Sequence, residues 1–345
     1  MRKIAFFLFL LVIGGAMSSC SRDTTSIPYY KNGLPNLKDR HLVAYVAARE
    51  EVGEALLSSF CKPRGCTYEF IRLSTEEILR RVEEESKSPK ADIIIGGTLD
   101  AHQTMKRKKL SIPVTSQHAS RLSTAVKDKD DFWYGYEVEQ LAIMVNKERW
   151  NEEIAPLGLS YPKEWKDLLH PAYAQKIVMP NPNISGTAYT LFQSFIDTFG
   201  EEEAKGYVKN LAHQVAKVTI NGYMPAEYVA SGEYLIGINF IGDQRMLQKQ
   251  GFPIVSQVPG QTGLSVNAVS KLKDAPSGII ADLFIDYCLS EEAGHILEKV
   301  SFGVPTMLAK NQKEIEGQPV RRTNKDISNS GLIEIWNRQR LSQSR

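Results

Sequence analysis

The stretch HLVAYVAAREEVGEALLSSFCKPRGCTYEFIRLSTEEILRRVEEESKSPKADIIIGG, from His41 to Gly97, decides the fold. Its composition alternates. "LVAYVA" (42–47) is β-branched and aromatic, as a buried strand would be. "REEVGEALLSSFC" (49–61) spaces its apolar residues at the period of an amphipathic helix. "TYEFIRL" (67–73) returns to strand composition. "STEEILRRVEEES" (74–86) opens with Ser74 and Glu77 at capping-box spacing, which predicts a helix start. "ADIIIGG" (91–97) is a short apolar strand that stops at two glycines. Strand, helix, strand, helix, strand is the doubly wound α/β pattern, because parallel strands need helical crossovers between them.

The pattern resumes downstream. "LAIMVN" (141–146), "KIVMP" (176–180), "YLIGINF" (234–240), "IVSQV" (254–258) and "LSVNAVS" (264–270) predict strands. "YPKEWKDLLH" (161–170) predicts a helix with Pro162 at its start, and "AEYVASG" ends another near Gly232. From about Asp274 the chain predicts helices, with "SGIIADLFIDYCLS" and "LIEIWNRQRL" the clearest. About 305 residues follow the N-terminal segment, too many for one comfortable core, so two domains are expected.

That N-terminal segment reads as an export signal. Arg2 and Lys3 precede an apolar run from Ile4 to Met17, then small residues and Cys20. The run is shorter than the roughly 20 residues a membrane-spanning helix needs. Met17-Ser18-Ser19-Cys20 resembles a bacterial lipobox, which implies cleavage before Cys20 and lipidation of its sulfur; the alternative is an ordinary exported protein with a free Cys20. Residues 20–39 are then a polar tether. Removing 1–19 takes away two basic residues and no acidic one, leaving 40 of each sign. A balanced chain of this kind argues against a nucleic-acid binder. Cys61 and Cys66 flank Lys-Pro-Arg-Gly, a turn that brings them together, and outside the cytoplasm that predicts a disulfide. Cys288 sits at helical spacing in an apolar segment and predicts a buried thiol. No metal-ligand spacing is evident, and no metal or cofactor is expected.

Polar clusters recur after strands or at helix starts. They are Ala47-Ala48-Arg49, Ser74-Thr75, Gly96-Gly97-Thr98, Ser185-Gly186-Thr187-Ala188 and Asn221-Gly222. Each alone reads as a cap or a turn. Ligands of doubly wound sheets bind outside the carboxyl ends of strands, so together the clusters describe a cleft. "MPNPNISGTAYTLFQSF" (179–195) is the most suggestive: two hydroxyls and a glycine at a helix entrance serve either as a cap or as an anion site. Arg49 reads equally as a guanidinium for that anion and as a surface residue.

On "STEEILRRVEEE…ADIIIGG", "YPKEWKDLLHPAYAQKIVMPNPNISGTAYT" and "ASGEYLIGINF" the chain resembles type II periplasmic solute-binding proteins of ABC transporters. More narrowly it resembles the ferric-iron-binding-protein-like group, over about 300 residues. The resemblance implies an α/β fold with two lobes, doubly wound sheets and a two-segment hinge. Lobe 1 would be 40–138 and 264–345, lobe 2 would be 139–263, with hinges near Tyr136–Gln140 and Gly260–Ser265. It implies a monomer that passes a small solute to a membrane permease. Iron binders of the group carry a Tyr-Tyr pair where this chain reads Phe240-Ile241-Gly242-Asp243, and one carboxylate does not make a ferric site. Organophosphate binders carry the SGTA passage, matched at Ser185, Gly186, Thr187 and Ala188. The resemblance therefore points to a small anionic, phosphorylated solute, with a ferric-iron binder as the alternative. Candidate ligand residues are Arg49, Ser74, Thr75, Gly97, Thr98, Ser185, Gly186, Thr187, Ala188, Asn221 and Asp243. Two departures, Gly242 for a His and Ser265 for an acidic hinge residue, leave any particular sugar open.

Enzyme signatures do not accumulate. There is no G-x-S-x-G elbow, no H-E-x-x-H, and no Lys before the Thr that a P-loop requires. The expectation is a binding protein without catalytic residues.

Overall fold

The computed structural model describes residues 27–309 and 330–343. The expected signal peptide (1–19), Cys20 with its lipidation, and the first part of the tether lie outside the described residues. Of the described residues, 27–36 belong to one unit, in which Tyr29 bridges Pro35 and the Tyr30 N–H donates to the Leu34 carbonyl. Everything from Leu37 onward is a second unit.

The first half of that unit follows the alternation of the opening stretch. It comprises β1 (His41–Val46), α1 (Glu50–Arg64), β2 (Thr67–Arg72), α2 (Thr75–Glu84), β3 (Ile93–Ile95), α3 (Leu99–Arg107) and the short β4 (Ser111–Ile112). Strand β1 lies parallel between β2 and β3. The disulfide between Cys61 and Cys66 closes the end of α1, with Cα atoms 4.7 Å apart. Cys288 is buried, and burial pushes its thiol pKa well up, so it is inert.

Strand β5 (Tyr134–Asn146) has 13 residues and carries the chain between two halves of the sheet. The second half contains α4 (Lys147–Glu153), β6 (Ile177–Pro180), α5 (Gly186–Phe199), α6 (Glu201–Gln214), β7 (Val215–Thr219), α7 (Met224–Ala230), β8 (Ile236–Phe240), α8 (Ile241–Lys249) and β9 (Ile254–Gln257). The chain returns through β10 (Leu264–Leu272) to α9 (Ile279–Cys288), α10 (Glu291–Val300) and β11 (Val304–Pro305), and ends with α11 (Ser330–Gln343). The strand order is β2-β1-β3-β10-β5-β8-β6-β7. Along β5 the partner changes: β10 pairs with it up to Gln140, and β8 from Leu141 onward. Two strands, β5 and β10, thus join a half built around β1 to a half built around β6 and β8.

Each half has its own apolar core. Tyr45, Ile78, Val82, Ile94 and Met105 pack in the first. Leu141, Trp165, Phe192, Phe195, Tyr207 and Ile238 pack in the second. Two expectations are corrected. "YPKEWKDLLH" is not a full helix but one 3₁₀ turn, Trp165–Leu169, because the Asp167 carboxylate accepts the Lys163 and Glu164 N–H groups and Pro171 stops extension. The C-terminal helix, assigned with 264–345 to lobe 1, packs on the second half instead. Leu332 and Trp336 enter that core, and Trp336 meets Phe192 edge to face at 5.8 Å.

Candidate functional site

The carboxyl ends of β1, β2 and β3 face those of β6, β7 and β8 across a narrow cleft. It is lined from the first half by Ala47, Arg72, Ser74, Thr75, Gly97 and Thr98. From the second half come Ser185, Gly186, Thr187, Asn221, Gly222 and Phe240; Ser265 and Asn267 of β10 close the floor. Three helices of eight residues or more, α2, α3 and α5, begin at it. Their first N–H groups have no carbonyl one turn back, so the cleft collects donors and the positive ends of three helix dipoles.

The two halves touch here. A Cβ on Gly186 would stand 2.6 Å from Thr75 Oγ1 and 2.9 Å from Thr98 Cγ2, so only glycine permits this approach. Gly96 and Gly97 both have positive φ, 83° and 85°, which turns the chain from β3 into α3. His102 braces that turn, with Nε2 2.9 Å from the Gly96 carbonyl and Nδ1 2.9 Å from Ser270 Oγ. Burial pushes the His102 pKa down to about 4, so the imidazole is neutral at pH 7. The cavity in the cleft measures about 40 Å³. Ligand pockets for small metabolites run to roughly 300 Å³ and more, so the closed cleft must part to admit a solute.

The hydroxyls separate into two kinds. Ser74 is committed to its own helix: Oγ donates to Glu77 Oε2 at 2.6 Å and accepts from the Glu77 N–H, a complete capping box. Ser185 and Thr98 occupy N-cap positions but make no side-chain cap bond. Thr75, Thr98, Ser185 and Thr187 are all at least nine-tenths buried, and their hydroxyls find no partner among the described residues. Their oxygens keep access to the cavity, and four unbonded hydroxyls converging on it are what a polar ligand would engage. Asn221 adds an amide donor, since its Oδ1 accepts from the Tyr223 and Met224 N–H groups at 3.0 and 2.9 Å, which leaves Nδ2 for the cleft.

Arg72 supplies the charge. Its Nε donates to the Ala48 carbonyl at 3.3 Å, and no carboxylate lies within ion-pair distance of it among the described residues. Burial lowers its pKa, although a guanidinium stays charged at any physiological pH. A half-buried cation without an ion pair, beside free donors, is chemically an anion receptor. Among the described residues, the cleft's lining side chains include no Asp, Glu, His, Tyr or Cys.

Beneath the floor lies a carboxylate cluster. Glu137 and Glu139 project from one face of β5. Ser301 Oγ donates to Glu137, and Asn267 Nδ2 donates to Glu139 at 2.9 Å and Glu137 at 3.2 Å. Burial pushes the Glu137 pKa up to about 7 and the Glu139 pKa well above the ordinary value, the latter with help from the Glu137 charge. Asp243 is likewise pushed up by burial, to about 6, with Arg49 acting in the opposite direction.

Of the residues expected from sequence, Ser74, Thr75, Gly97, Thr98, Ser185, Gly186, Thr187 and Asn221 all border the cleft. Ala188 does not: its side chain lies in the second core, and only its backbone N–H belongs to the free helix end. Arg49 and Asp243 are also outside the lining. They pair with each other, Nε to Oδ1 at 2.9 Å, and Arg49 further donates to the Val300 carbonyl and approaches Met246 Sδ. Every direction of that guanidinium is occupied, so Arg49 links the halves rather than reaching the cleft. Sequence reasoning missed Arg72 and Asn267, and it noted Ser265 only as a departure from the family pattern. Arg72 had one usable signal, its position at the carboxyl end of a predicted strand.

Residues 88–330 match the family model described as bacterial extracellular solute-binding protein. An uncharacterized protein of Haemophilus influenzae is 32% identical over 274 residues, 78% of each chain. The iron uptake protein A1 of Synechocystis is 23% identical, covering 87% of this chain and 84% of its own. Among solved structures, the periplasmic binding protein AfuA of Actinobacillus pleuropneumoniae, determined with exogenous fructose-6-phosphate bound, superposes with a TM-score of 0.74 at 27% identity, covering 88% of this chain and 97% of that one.

Proposed function

The chain belongs to the bacterial extracellular solute-binding proteins, two-lobed α/β receptors of ABC importers, and from that premise we propose that its solute is small, anionic and phosphorylated. The observation that carries the reading is the set of four unbonded hydroxyls facing the cleft beside Arg72, which has no ion-pair partner among the described residues. A phosphate group accepts from all of them and from the helix N-termini at once. Each hydrogen bond to a charged group contributes about 1.5–3 kcal/mol, and a few of these, after ordering costs, reach the ~8 kcal/mol of micromolar binding.

That AfuA was solved with a sugar phosphate supports the reading. The names of relatives such as iron uptake protein A1 favour ferric iron as a second reading. The donor set weighs against it, because Fe³⁺ needs anionic oxygen ligands and the cleft's side chains offer hydroxyls, amides and a guanidinium. In the proposal the lobes are 40–138 with 264–309, and 139–263 with the C-terminal helix. They close on the solute by bending at β5 and at the 260–265 segment, and the closed monomer is what the permease meets. No covalent chemistry is assigned to the cleft. The exported chain is held at the membrane by lipid on Cys20; Cys20→Ala abolishes palmitate labelling in the producing cell, and unchanged labelling refutes the anchor.

The direct test is native mass spectrometry of freshly purified protein. A co-purifying small molecule that contains phosphorus is expected. A stoichiometric iron adduct with no phosphorus would overturn the proposal.

A further inference from the structure

We propose that Asn267 selects for a hydroxyl group on the solute, accepting its hydrogen bond through Oδ1. This deepens the phosphorylated-solute reading and rests on it. The amide orientation of an Asn is set by its neighbours. Here Nδ2 donates to two carboxyl groups, Glu139 Oε2 at 2.9 Å and Glu137 Oε2 at 3.2 Å. Glu137 is the more readily ionised of the two; once charged it accepts only, from Ser301 Oγ on one oxygen and from Nδ2 on the other, so the amide's donor end is turned to it and its carbonyl end away. Oδ1 has no partner among the described residues, and Asn267 borders the cleft beside Ser265 on the same face of β10. The carboxylates do not drift: both sit on β5, and Ser301 Oγ holds Glu137 from the other side.

Asn221 shows the opposite arrangement. Its Oδ1 is consumed by two backbone N–H groups, so it offers a donor. The cleft therefore has fixed donors in Arg72, Asn221 and the helix N-termini, hydroxyls that both donate and accept, and, among the described lining residues, one amide oxygen turned toward the solute, that of Asn267. A phosphate dianion carries no O–H and finds nothing to give that acceptor. A hydroxyl elsewhere on the solute does. Asn267 thus reads the part of the solute that is not the phosphate, and Glu137 and Glu139 are positioning residues that act through it.

Calorimetry with glucose 6-phosphate, fructose 6-phosphate, their monodeoxyfluoro derivatives and inorganic phosphate tests this. Fluorine in place of hydroxyl keeps an acceptor and removes the donor. In the wild type, replacement at one carbon is expected to lower affinity about tenfold. In Asn267→Ala the hydroxyl and fluoro compounds bind alike at that carbon, while inorganic phosphate binds as before. In Glu139→Ala the amide is free to turn, so the hydroxyl preference shrinks with phosphate affinity unchanged, which mere loosening of the fold would not produce. A wild type indifferent to fluorine at every carbon overturns the proposal, and this arm stands even if Asn267→Ala fails to fold. So does an Asn267→Ala protein that keeps the wild-type preference. Should the wild type bind none of the phosphorylated probes, the underlying reading falls and this one with it.

Discussion

A hydroxyl left unbonded at the cleft is the smallest functional unit of the site. Thr187 is 9% exposed and its Oγ1 is unbonded among the described residues, so Thr187→Val removes nothing from the fold. It is expected to weaken a phosphorylated ligand by about 1.5–3 kcal/mol and leave the melting temperature of the free protein nearly unchanged. Arg72→Met acts the same way on affinity and also flattens its salt dependence, because the one cation of the cleft is gone. Titration calorimetry at two ionic strengths checks both, and loss of stability without loss of affinity would reduce these residues to packing. Much of this scale was legible beforehand. Ser185, Thr187, Thr75 and Thr98 follow strands and open helices, a position that has few uses. Arg49 and Asp243 misled because each has the right chemistry in the right sort of loop. What decides their role is each other, and two residues on different halves meet only once the chain is folded.

At the level of elements, β5 joins structure to electrostatics. Its strand period puts Glu137, buried, and Glu139, half-buried, on one face within 13 residues that also carry the chain between the halves. Sequence periodicity found only 141–146 of that strand, since "YGYEVEQ" places charges where a core strand would have none. The tertiary explanation is Asn267 and Ser301, which satisfy those charges from β10 and the end of α10. A pH dependence follows. The Glu137 pKa in the fold, about 7, lies above that of an unfolded carboxyl, roughly 4.3. The stability it contributes is present below the unfolded value and is lost as pH rises to about 7. Glu137→Gln cannot titrate. Glu137 and Glu139 titrate as a pair, so the stability of wild type minus variant should fall as pH rises from about 4.5 through 7. Urea unfolding at several pH values measures this, and a difference that stays constant would refute the assignment. Neutral, buried His102 has the opposite slope, losing stability as pH drops through about 4, and it cancels in the subtraction.

For the whole molecule the central matter is that two halves close on a solute. The two crossing strands were legible through family resemblance and the order of elements. The placement of the last helix was not, because "LIEIWNRQRL" is amphipathic in a way that suits either core, and the choice is made by Phe192 meeting Trp336. Closure has two built-in sensors. Gly186→Ala pushes a methyl into Thr75 and Thr98 across the cleft, and Arg49→Met removes the buried ion pair between the halves. Both are expected to lower affinity and to reduce the contraction seen by small-angle X-ray scattering when ligand is added. Since Arg49 lies outside the cleft, an unchanged affinity in Arg49→Met would mean that the link is not formed on closure.

The most direct measurement is calorimetric titration of the purified protein with hexose 6-phosphates, the corresponding unphosphorylated hexoses and ferric citrate. A cleft built around Arg72 and four free hydroxyls predicts micromolar or tighter binding of a phosphorylated compound, with its parent sugar too weak to detect and ferric citrate without stoichiometric uptake. Equal binding of a hexose and its phosphate, or stoichiometric ferric binding in place of both, would contradict it.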